Sequence, residues 1–360
     1  MKVLFDARPL TIPSPGGVTR LTQSLLQAIA ESLPTDTCLF GTTGQHELPL
    51  GIPLLPNSRR VHVPLPNKVV SSLTSLGLRS FEQFFSKEKP DVLLLPNNGH
   101  VGFPNIPYGL VVHDLSFLVE PKWFNGRGQI WHRIVHARRV MSEATRLFAV
   151  SDWTKFALTL HLGIPADKID VLQIPRQNDL VTPGPLPEQL RDKRFVLCLG
   201  RKDTRKNASC VVEAIHHLHQ NTAYQHVHLV IVGGYHKPLN DPRIIILPRV
   251  DDATLYALYR SASVFLYPSW YEGLGLPLHE AALFGTPSIS SCTTALPDTA
   301  PPGTVFAPPS KPHLWTVAIQ TLLDKKMDHP QKPAVAAHVE PADWNAAVEP
   351  IHRFLMRFQK

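Results

Sequence analysis

Two glutamates bracket a glycine-rich turn in the second half of the chain, and they are the residues whose spacing most directly indicates chemistry. The run reads Glu272-Gly273-Leu274-Gly275-Leu276-Pro277-Leu278-His279-Glu280. Glycine lets backbone approach a ligand closely, and proline suits the first turn of a helix. Backbone N–H groups at such a helix start favour phosphate or sugar oxygens, and both carboxylates could bind hydroxyls of the same ligand. The run fits equally well a strand-to-helix turn with two solvent-exposed glutamates.

A basic loop is the second candidate. It reads Gly200-Arg201-Lys202-Asp203-Thr204-Arg205-Lys206-Asn207 and follows an apolar, strand-like run. In doubly wound sheets, ligands bind beyond the carboxyl ends of the strands, so cations there suit a diphosphate. Not all four cations can point inward, and we expect Arg201 and Lys206 to do so. The alternative is an ordinary solvated loop.

Two weaker signals lie in the first half of the chain. Gly16-Gly17-Val18 forms a glycine turn between a strand pattern and a helix pattern, as many such turns do. His113-Asp114 stands at the end of a strand pattern, where a histidine could donate a hydrogen bond or carry a proton near neutral pH. Without further context, a histidine bonded to backbone is the favoured interpretation of His113, and Asp114 fits a turn or cap residue equally well.

The elements that must position these residues alternate between short apolar runs and longer helical patterns, which predicts an α/β fold with parallel sheets covered on both faces. The predicted strands are Val3–Phe5, Val92–Leu95, Leu110–Val112, Leu147–Val150, Phe195–Leu199, Leu229–Val232, Ile244–Leu247 and Val264–Tyr267. The predicted helices are Val18–Ser32, Gln129–Ala144, Ala208–His219, Ala253–Ser261, Pro277–Phe284, His313–Leu323 and Trp344–Phe358.

The pattern starts again after a linker rich in proline, residues 175–194. We therefore predict a first domain over 1–184 and a second over 185–341, followed by a C-terminal segment, 342–360. Each half is long enough to bury its own core.

Composition narrows the function classes. The 360-residue chain carries a formal charge of +7 but has no basic run interleaved with aromatic residues, which argues against a nucleic-acid partner. The absence of a P-loop motif excludes a P-loop nucleotidase, and the absence of G-x-G-x-x-G weakens the case for a dehydrogenase. No D-x-D occurs, so a carboxylate pair of that kind is missing and no metal is expected. No signal-peptide pattern or membrane-spanning stretch is visible, and four unpaired cysteines suit a reducing compartment. We therefore expect a cytoplasmic protein.

Taken together, these motifs resemble glycosyltransferase family 4, whose members are retaining enzymes of the GT-B fold. Glu272 to Glu280 is similar to the family's E-x7-E signature, and Gly200 to Asn207 is similar to its diphosphate-binding loop. Ala295-Leu296-Pro297-Asp298 is similar to the A-L-P-E that follows the signature helix. Asp6-Ala7-Arg8, Gly16-Gly17-Val18 and His113 to Phe117 resemble a branch rich in mannosyltransferases that use GDP-mannose.

The resemblance implies two Rossmann-like, doubly wound domains that face each other across a cleft, with the last helix packing back on the first domain. It also implies roles for individual residues, in which no metal takes part. Arg201 and Lys206 would bind the donor diphosphate, Glu280 the ribose, and Glu272 with the amides of Gly273, Leu274, Gly275 and Leu276 the donor sugar, while His113 would contact the sugar and Gly16 and Gly17 would approach the diphosphate.

The resemblance implies transfer of a hexose, with mannose as the expected sugar, to a glycan or lipid-linked acceptor in polysaccharide or glycoconjugate biosynthesis. The alternatives are a GT-B epimerase or hydrolase that acts on the nucleotide-sugar without an acceptor, and a non-catalytic subunit that binds nucleotide or glycan. A basic helix around Gln129–Arg146, with Arg133, Arg138, Arg139 and Arg146, could face an anionic membrane or a lipid diphosphate. An ordinary solvated helix face explains it as well.

Overall fold

The computed structural model describes residues 1–12, 17–33, 37–124, 126–175, 182–200, 204–235, 239–328 and 343–359. The chain divides into two compact units. The first comprises Met1–Pro121, Gly126–Pro175 and Asp343–Lys360, and the second comprises Lys122–Asn125 and Arg176–Ala342. The main segment of the second unit runs from Arg176 to Ala342, whereas the sequence predicts a second domain over 185–341. The last helix belongs to the first unit.

Within the described residues, the first unit contains a seven-stranded sheet in the order β3-β2-β1-β4-β5-β6-β7, and every pairing is parallel. The strands are β1 (Val3–Asp6), β2 (Cys38–Thr43), β3 (Ser58–Val63), β4 (Val92–Leu95), β5 (Tyr108–Val112), β6 (Arg146–Ala149) and β7 (Ile169–Val171). Between Met1 and Pro175, the helices of this unit are α1 (Gly17–Ser32), α2 (Asn67–Ser75), α3 (Ser116–Val119), α4 (Gly126–Ile134), α5 (Ala137–Glu143) and α6 (Asp152–Leu162).

The second unit contains, in its described residues, a six-stranded parallel sheet in the order β10-β9-β8-β11-β12-β13. The strands are β8 (Phe195–Leu199), β9 (His228–Val232), β10 (Ile244–Leu247), β11 (Val264–Tyr267), β12 (Ser288–Ser291) and β13 (Val305–Ala307). The helices are α7 (Ala208–Leu218), α8 (Asp252–Ser261), α9 (Leu276–Leu283), α10 (Leu296–Thr299) and α11 (Pro312–Asp328). The chain ends with α12 (Trp344–Met356) in the first unit.

Both sheets have the doubly wound order, in which the first strand lies between the second and the fourth. Alternate residues of each strand point to opposite faces, so a strand covered by helices on both sides must be apolar throughout. In β8, Val196 and Cys198 pack with α7 and α11, whereas Phe195 and Leu197 pack with α8 and α9. This explains why the buried strands read as continuous apolar runs.

The last helix, α12, carries one apolar face against the first unit, where it contacts α1 and β6. Phe354 is 2% exposed, and its ring centroid lies 5.8 Å from that of Phe148 in β6. Gly109 of β5 leaves room for this ring, because a Cβ there would lie 3.1 Å from Phe354. Asp343 caps the helix by accepting a hydrogen bond from the Ala346 amide at 3.0 Å.

The structure contains strands at all eight predicted positions, but the sequence analysis missed β2, β3, β7, β12 and β13. In β12 the sequence is Ser-Ile-Ser-Ser, which is buried but carries no apolar run. The predicted helix Gln129–Ala144 is wrong as a single helix, because His136 has φ 51° in the left-handed region and separates α4 from α5. Arg146, expected on that helix, lies in β6.

Candidate functional site

The sheet topology brings two of the predicted motifs together in the second unit. Strands β8 and β11 are hydrogen-bonded neighbours, and they lie where the strand order reverses. The loop after β8 carries Lys206, and the loop after β11 carries Glu272. Ligands of doubly wound sheets bind at this position, because the loops of adjacent strands diverge there and leave a crevice.

Lys206, Arg205 and Glu272 form one buried ion cluster. The Lys206 Nζ donates to Glu272 Oε1 at 2.7 Å, and Arg205 NH1 lies 3.2 Å from Glu272 Oε2. Lys206 also donates to the Tyr267 hydroxyl at 2.9 Å, while Arg205 donates to the Tyr271 carbonyl at 2.7 Å. The pairing excludes a freely solvated basic loop at these two positions.

Electrostatics keep this cluster charged. Burial by itself raises the pKa of Glu272, but the adjacent Lys206 and Arg205 outweigh burial and lower that pKa from 4.5 to about 2. The pKa of the Tyr267 hydroxyl is raised well above 10, chiefly by burial and also by the charge of Glu272. At neutral pH, two cations therefore face one carboxylate, and the cluster has a net charge of +1.

The start of α9 is built to a close fit. Gly275 caps the helix with φ 85°, a conformation that only glycine adopts readily, and a Cβ there would lie 2.6 Å from Leu296 Cδ2. Thr299 donates to the Leu274 carbonyl at 2.5 Å, and the Glu272 amide donates to Thr294 Oγ1 at 3.0 Å. The segment after β12, which contains the A-L-P-D run, thus contacts the glycine turn through two hydrogen bonds and the Leu296 side chain.

Glu280 lies in α9, one turn after its start. It is 5% exposed, and its Oε2 accepts a hydrogen bond from the Tyr259 hydroxyl of α8 at 3.0 Å. Glu272 is 8% exposed. Both carboxylates are buried, so the interpretation of Glu272 and Glu280 as solvent-exposed glutamates of an ordinary turn is wrong.

The remaining residues predicted for this site are described only in part. Gly273 and Leu274 lie in the loop between β11 and α9, and Leu276 is the first residue of α9. Gly17 is the first residue of α1 in the first unit. Gly16 and Arg201 lie outside the described residues, so their predicted roles stay predictions.

In the first unit, His113 follows β5 and its Nε2 lies 2.9 Å from the Pro96 carbonyl. Burial lowers the pKa of His113, so the imidazole is neutral at pH 7 and Nε2–H donates to that carbonyl. Asp114 accepts hydrogen bonds from the amide and hydroxyl of Ser116, the first residue of the short helix α3, at 2.9 and 2.7 Å. The His113 contact matches the interpretation that the sequence favoured, and the Asp114 contacts match its alternative as a turn residue.

Asp6-Ala7-Arg8 forms an ion pair at the end of β1. Arg8 donates to both carboxylate oxygens of Asp6, at 2.8 and 2.6 Å, and to the His100 carbonyl at 3.1 Å. Its guanidinium carbon lies 4.4 Å from the centroid of the Phe81 ring. This motif therefore ties the end of β1 to the loop after β4, which the sequence did not reveal.

The arginines of the predicted basic helix do not form one surface. Arg146 donates to both oxygens of Asp170 at 2.6 Å, and Arg139 pairs with Glu143 at 2.6 Å and stacks on the ring of Phe103. Arg133 and Arg138 are exposed on separate helices, α4 and α5.

The described residues contain neither a cluster of metal-ligating side chains nor a membrane-spanning helix. No three His, Cys, Asp or Glu side chains there lie close enough together to hold a metal ion. No helix in the same residues is both long and apolar enough to cross a bilayer.

Sequence reasoning missed Arg205, which shares Glu272 with Lys206 and is 8% exposed. Four cations in one loop gave no local signal of which ones turn inward. That choice depends on where the β11 loop places its carboxylate, and the 66-residue separation of Lys206 and Glu272 hides this from the sequence.

Two protein families match the chain. Residues 15–174 match the family described as Glycosyltransferase Family 4, and residues 193–325 match the family described as Glycosyl transferases group 1. The O-antigen chain mannosyltransferase B of Escherichia coli is 26% identical over 217 residues, which cover 55% of this chain and 56% of that protein. A D-inositol 3-phosphate glycosyltransferase of Corynebacterium glutamicum (strain R) is 26% identical over 189 residues, which cover 46% of this chain and 45% of that protein.

The matched regions thus span about half the length of these two relatives. Among solved structures, sucrose-phosphate synthase from Thermosynechococcus elongatus is similar with a TM-score of 0.66 at 18% identity. The similarity covers 99% of this chain and 93% of that chain. The predicted α/β fold of GT-B type, with two Rossmann-like units, is confirmed.

Proposed function

Because the chain belongs to glycosyltransferase family 4, we propose that it transfers a hexose from a nucleotide diphosphate-sugar to an acceptor, with GDP-mannose as the donor. The E. coli relative named as a mannosyltransferase supports mannose as the sugar. The acceptor is a glycan or a lipid-linked glycan in polysaccharide or glycoconjugate biosynthesis. We place the reaction in the cytoplasm, with peripheral association at the cytoplasmic face of the membrane.

The observation that carries this proposal is the charged cluster of Lys206, Arg205 and Glu272 beside the start of α9. Two cations face the one ionised carboxylate of Glu272, so these three side chains together keep a positive charge at neutral pH. A diphosphate carries negative charge and accepts hydrogen bonds from ammonium, guanidinium and backbone N–H groups. A buried carboxylate alone would repel it, and a free pair of cations would not be held in place.

Catalysis in this proposal depends on the departure of the nucleoside diphosphate. The bond between the anomeric carbon and the diphosphate oxygen breaks, so negative charge grows on the leaving phosphate. Lys206, together with Arg201, stabilises that charge, and the amides of the Gly273–Leu276 turn support it. One well-aimed donor of this kind contributes about 3 kcal/mol to the transition state. In this scheme no metal is needed, since fixed cations supply the positive charge.

Glu272 acts here as an acceptor and not as an acid. Its pKa of about 2 means that it holds no proton at neutral pH. Lys206 and Arg205 each interact with one carboxylate oxygen, and Ser269 also hydrogen-bonds to Glu272. A carboxylate has about four acceptor positions, so one is left for a donor-sugar hydroxyl. Glu280 binds the ribose hydroxyls in the same way.

The first unit contributes His113, Gly16 and Gly17 in this scheme. The neutral imidazole of His113 contacts the transferred sugar, while the glycines allow backbone near the diphosphate. We propose that the sugar keeps its anomeric configuration and that the acceptor hydroxyl attacks from the face that the diphosphate leaves.

A ligand panel tests the donor. Thermal unfolding is measured with GDP-mannose, GDP-glucose, UDP-glucose, ADP-glucose and dTDP-glucose. At one common ligand concentration, GDP-mannose should stabilise the protein most. Its stabilisation is about 2.7 kcal/mol when its concentration is one hundred times its Kd. Lys206→Met should abolish this stabilisation, whereas Lys193→Met, at an exposed lysine of the same unit, should preserve it. The donor assignment is wrong if no sugar nucleotide stabilises the wild-type chain.

Product analysis tests the reaction class. A transferase releases GDP rapidly only when an acceptor glycan is present, and it forms a new glycosidic bond. Equal GDP release without any acceptor would identify a hydrolase or an epimerase instead. Unchanged turnover in both Glu272→Gln and His113→Ala would mean that these residues have no part in the reaction.

A further inference from the structure

The first unit contains a groove that the proposed donor site does not use. It has a volume of about 890 Å³, which lies within the range of small-molecule sites. One wall is the face of α2 from Asn67 to Leu76, and the other is formed by His100, Arg133 and His136. All of these residues belong to the first unit.

The groove carries unbalanced positive charge. Lys68 and Arg133 line it, and none of its described lining residues is acidic. In the same part of the chain, Arg139 pairs with Glu143 and Arg146 pairs with Asp170. Within the described residues, the side chains of Lys68 and Arg133 have no such carboxylate. Two cations that line one groove, with no acidic residue in its described lining, favour an anionic ligand.

A hydrogen-bond chain holds the groove walls together. The Nε2–H of His136 donates to the Ser75 carbonyl at 2.9 Å, and the Ser75 hydroxyl lies 3.1 Å from Nδ1 of His100. The His100 carbonyl accepts from Arg8, which Asp6 fixes in turn. The break at His136 separates the two helices that the sequence predicted as one, and so the groove depends on it.

Exposed apolar residues lie in the groove lining or close to it along the chain. Leu76 lines the groove and is 72% exposed, and Leu78, two residues later, is 69% exposed. Ile130 is 56% exposed and lies one turn before Arg133 on α4. Val69, next to Lys68, is 43% exposed. A phosphate alone would not need these side chains, whereas a phosphate attached to a hydrocarbon chain would contact both kinds of residue.

We propose that this groove binds the diphosphate of a lipid-linked acceptor, and this inference rests on the proposed transferase function. Lys68 and Arg133 bind the phosphate oxygens, while Leu76, Leu78 and Ile130 contact the first part of the lipid chain. The groove therefore selects an isoprenoid-type diphosphate glycan over a free sugar. Transfer itself takes place at the donor site, so Lys68 and Arg133 are specificity residues.

The test uses three probes: geranyl diphosphate, inorganic diphosphate and geraniol. Calorimetric titrations of the full chain contain excess GDP, so that the probes do not bind at Lys206. Wild type should bind geranyl diphosphate at least about tenfold more tightly than the other two, because only this probe contacts both residue types. The Lys68→Gln/Arg133→Gln double variant should weaken that binding by about tenfold or more. Arg138→Gln, at an exposed arginine outside the groove lining, should change it by less than about twofold.

Two results would overturn the proposal. In one, the double variant binds geranyl diphosphate as tightly as wild type does. In the other, inorganic diphosphate or geraniol binds as tightly as geranyl diphosphate, which would identify a plain anion site or a plain apolar site. GDP-mannose stabilisation, measured on the same preparations, separates the two levels of inference. If it persists while the groove result is negative, only the acceptor assignment fails, and if it is absent, the transferase assignment fails.

Discussion

Replacing Glu272 with glutamine removes the one charge that holds two buried cations together. In the folded chain the pKa of Glu272 lies at about 2, against 4.5 without these interactions. This pKa difference corresponds to about 3 kcal/mol of stability at pH 7. Solvent screens these charges little, because Glu272 is only 8% exposed. Glu272→Gln should therefore lower the local unfolding free energy of the second unit by about 3 kcal/mol.

The stability difference between wild type and Glu272→Gln should depend on pH in the direction that the lowered pKa of Glu272 sets. A carboxylate with a lowered folded pKa contributes its full stability above 4.5, and the contribution is lost as pH falls toward 2. The gap between wild type and Glu272→Gln should stay constant from pH 7 to pH 6. It should be narrower by about 1 kcal/mol at pH 4, since the unfolded carboxylate then takes up a proton.

Hydrogen exchange measured by mass spectrometry is the suitable assay, because the two units need not unfold together. The informative peptides cover β8 and β11, which precede the two loops of the cluster. Glu213→Gln is the control, since this exposed glutamate of α7 belongs to the same unit. A loss below about 1 kcal/mol in Glu272→Gln, or a gap that does not change between pH 6 and pH 4, would refute the ion-cluster argument.

Three further predictions concern the fold around the site. In hydrogen exchange, Gly275→Ala should destabilise the second unit by at least about 1 kcal/mol more than Gly303→Ala. Both glycines have positive φ, but only at Gly275 would a Cβ lie against Leu296. Equal losses of stability in the two variants would contradict the packing argument. Native protein should react rapidly with one equivalent of a disulfide reagent, at the exposed Cys292, because burial raises the pKa of the other three thiols to about 12. Cys292→Ser should abolish this fast reaction. A fast reaction that remains in the variant would show that a buried thiol is accessible. Phe354→Ala should lower the unfolding free energy of the first unit by about 3 kcal/mol or more in urea unfolding. Val317→Ala, at an exposed position on α11, should lower the unfolding free energy by less than about 1 kcal/mol. Similar losses in the two variants would contradict the packing of α12 on β6.

The glycine turn before α9 is held in place by contacts with the segment that follows β12. Gly275 permits the turn, Leu296 fills the space beneath it, and Thr299 binds the Leu274 carbonyl. The A-L-P-D run after the signature helix therefore has a structural role under the glycine turn, in addition to its resemblance to a family motif. A change at Leu296 should disturb the Gly273–Leu276 turn, because this fully buried side chain packs against Gly275.

The sequence by itself determined the α/β alternation, because buried parallel strands must be apolar on both faces and such runs are visible without any tertiary information. It also located the Glu272–Glu280 turn and the basic loop, since glycine, proline and charge at a strand end act locally. It did not reveal β12, whose Ser-Ile-Ser-Ser sequence becomes a strand only because β11 and β13 pair with it.

Only the tertiary structure decided which charges meet. Whether Arg205 turns toward Glu272, whether both glutamates are buried, and whether Arg146 pairs with Asp170 depend on contacts between segments far apart in the chain. The break at His136, and with it the groove beside Lys68 and Arg133, follows from packing against Ser75 and not from the helical pattern. Local periodicity specifies elements, whereas electrostatic partners are specified by the fold that brings the ends of neighbouring strands together.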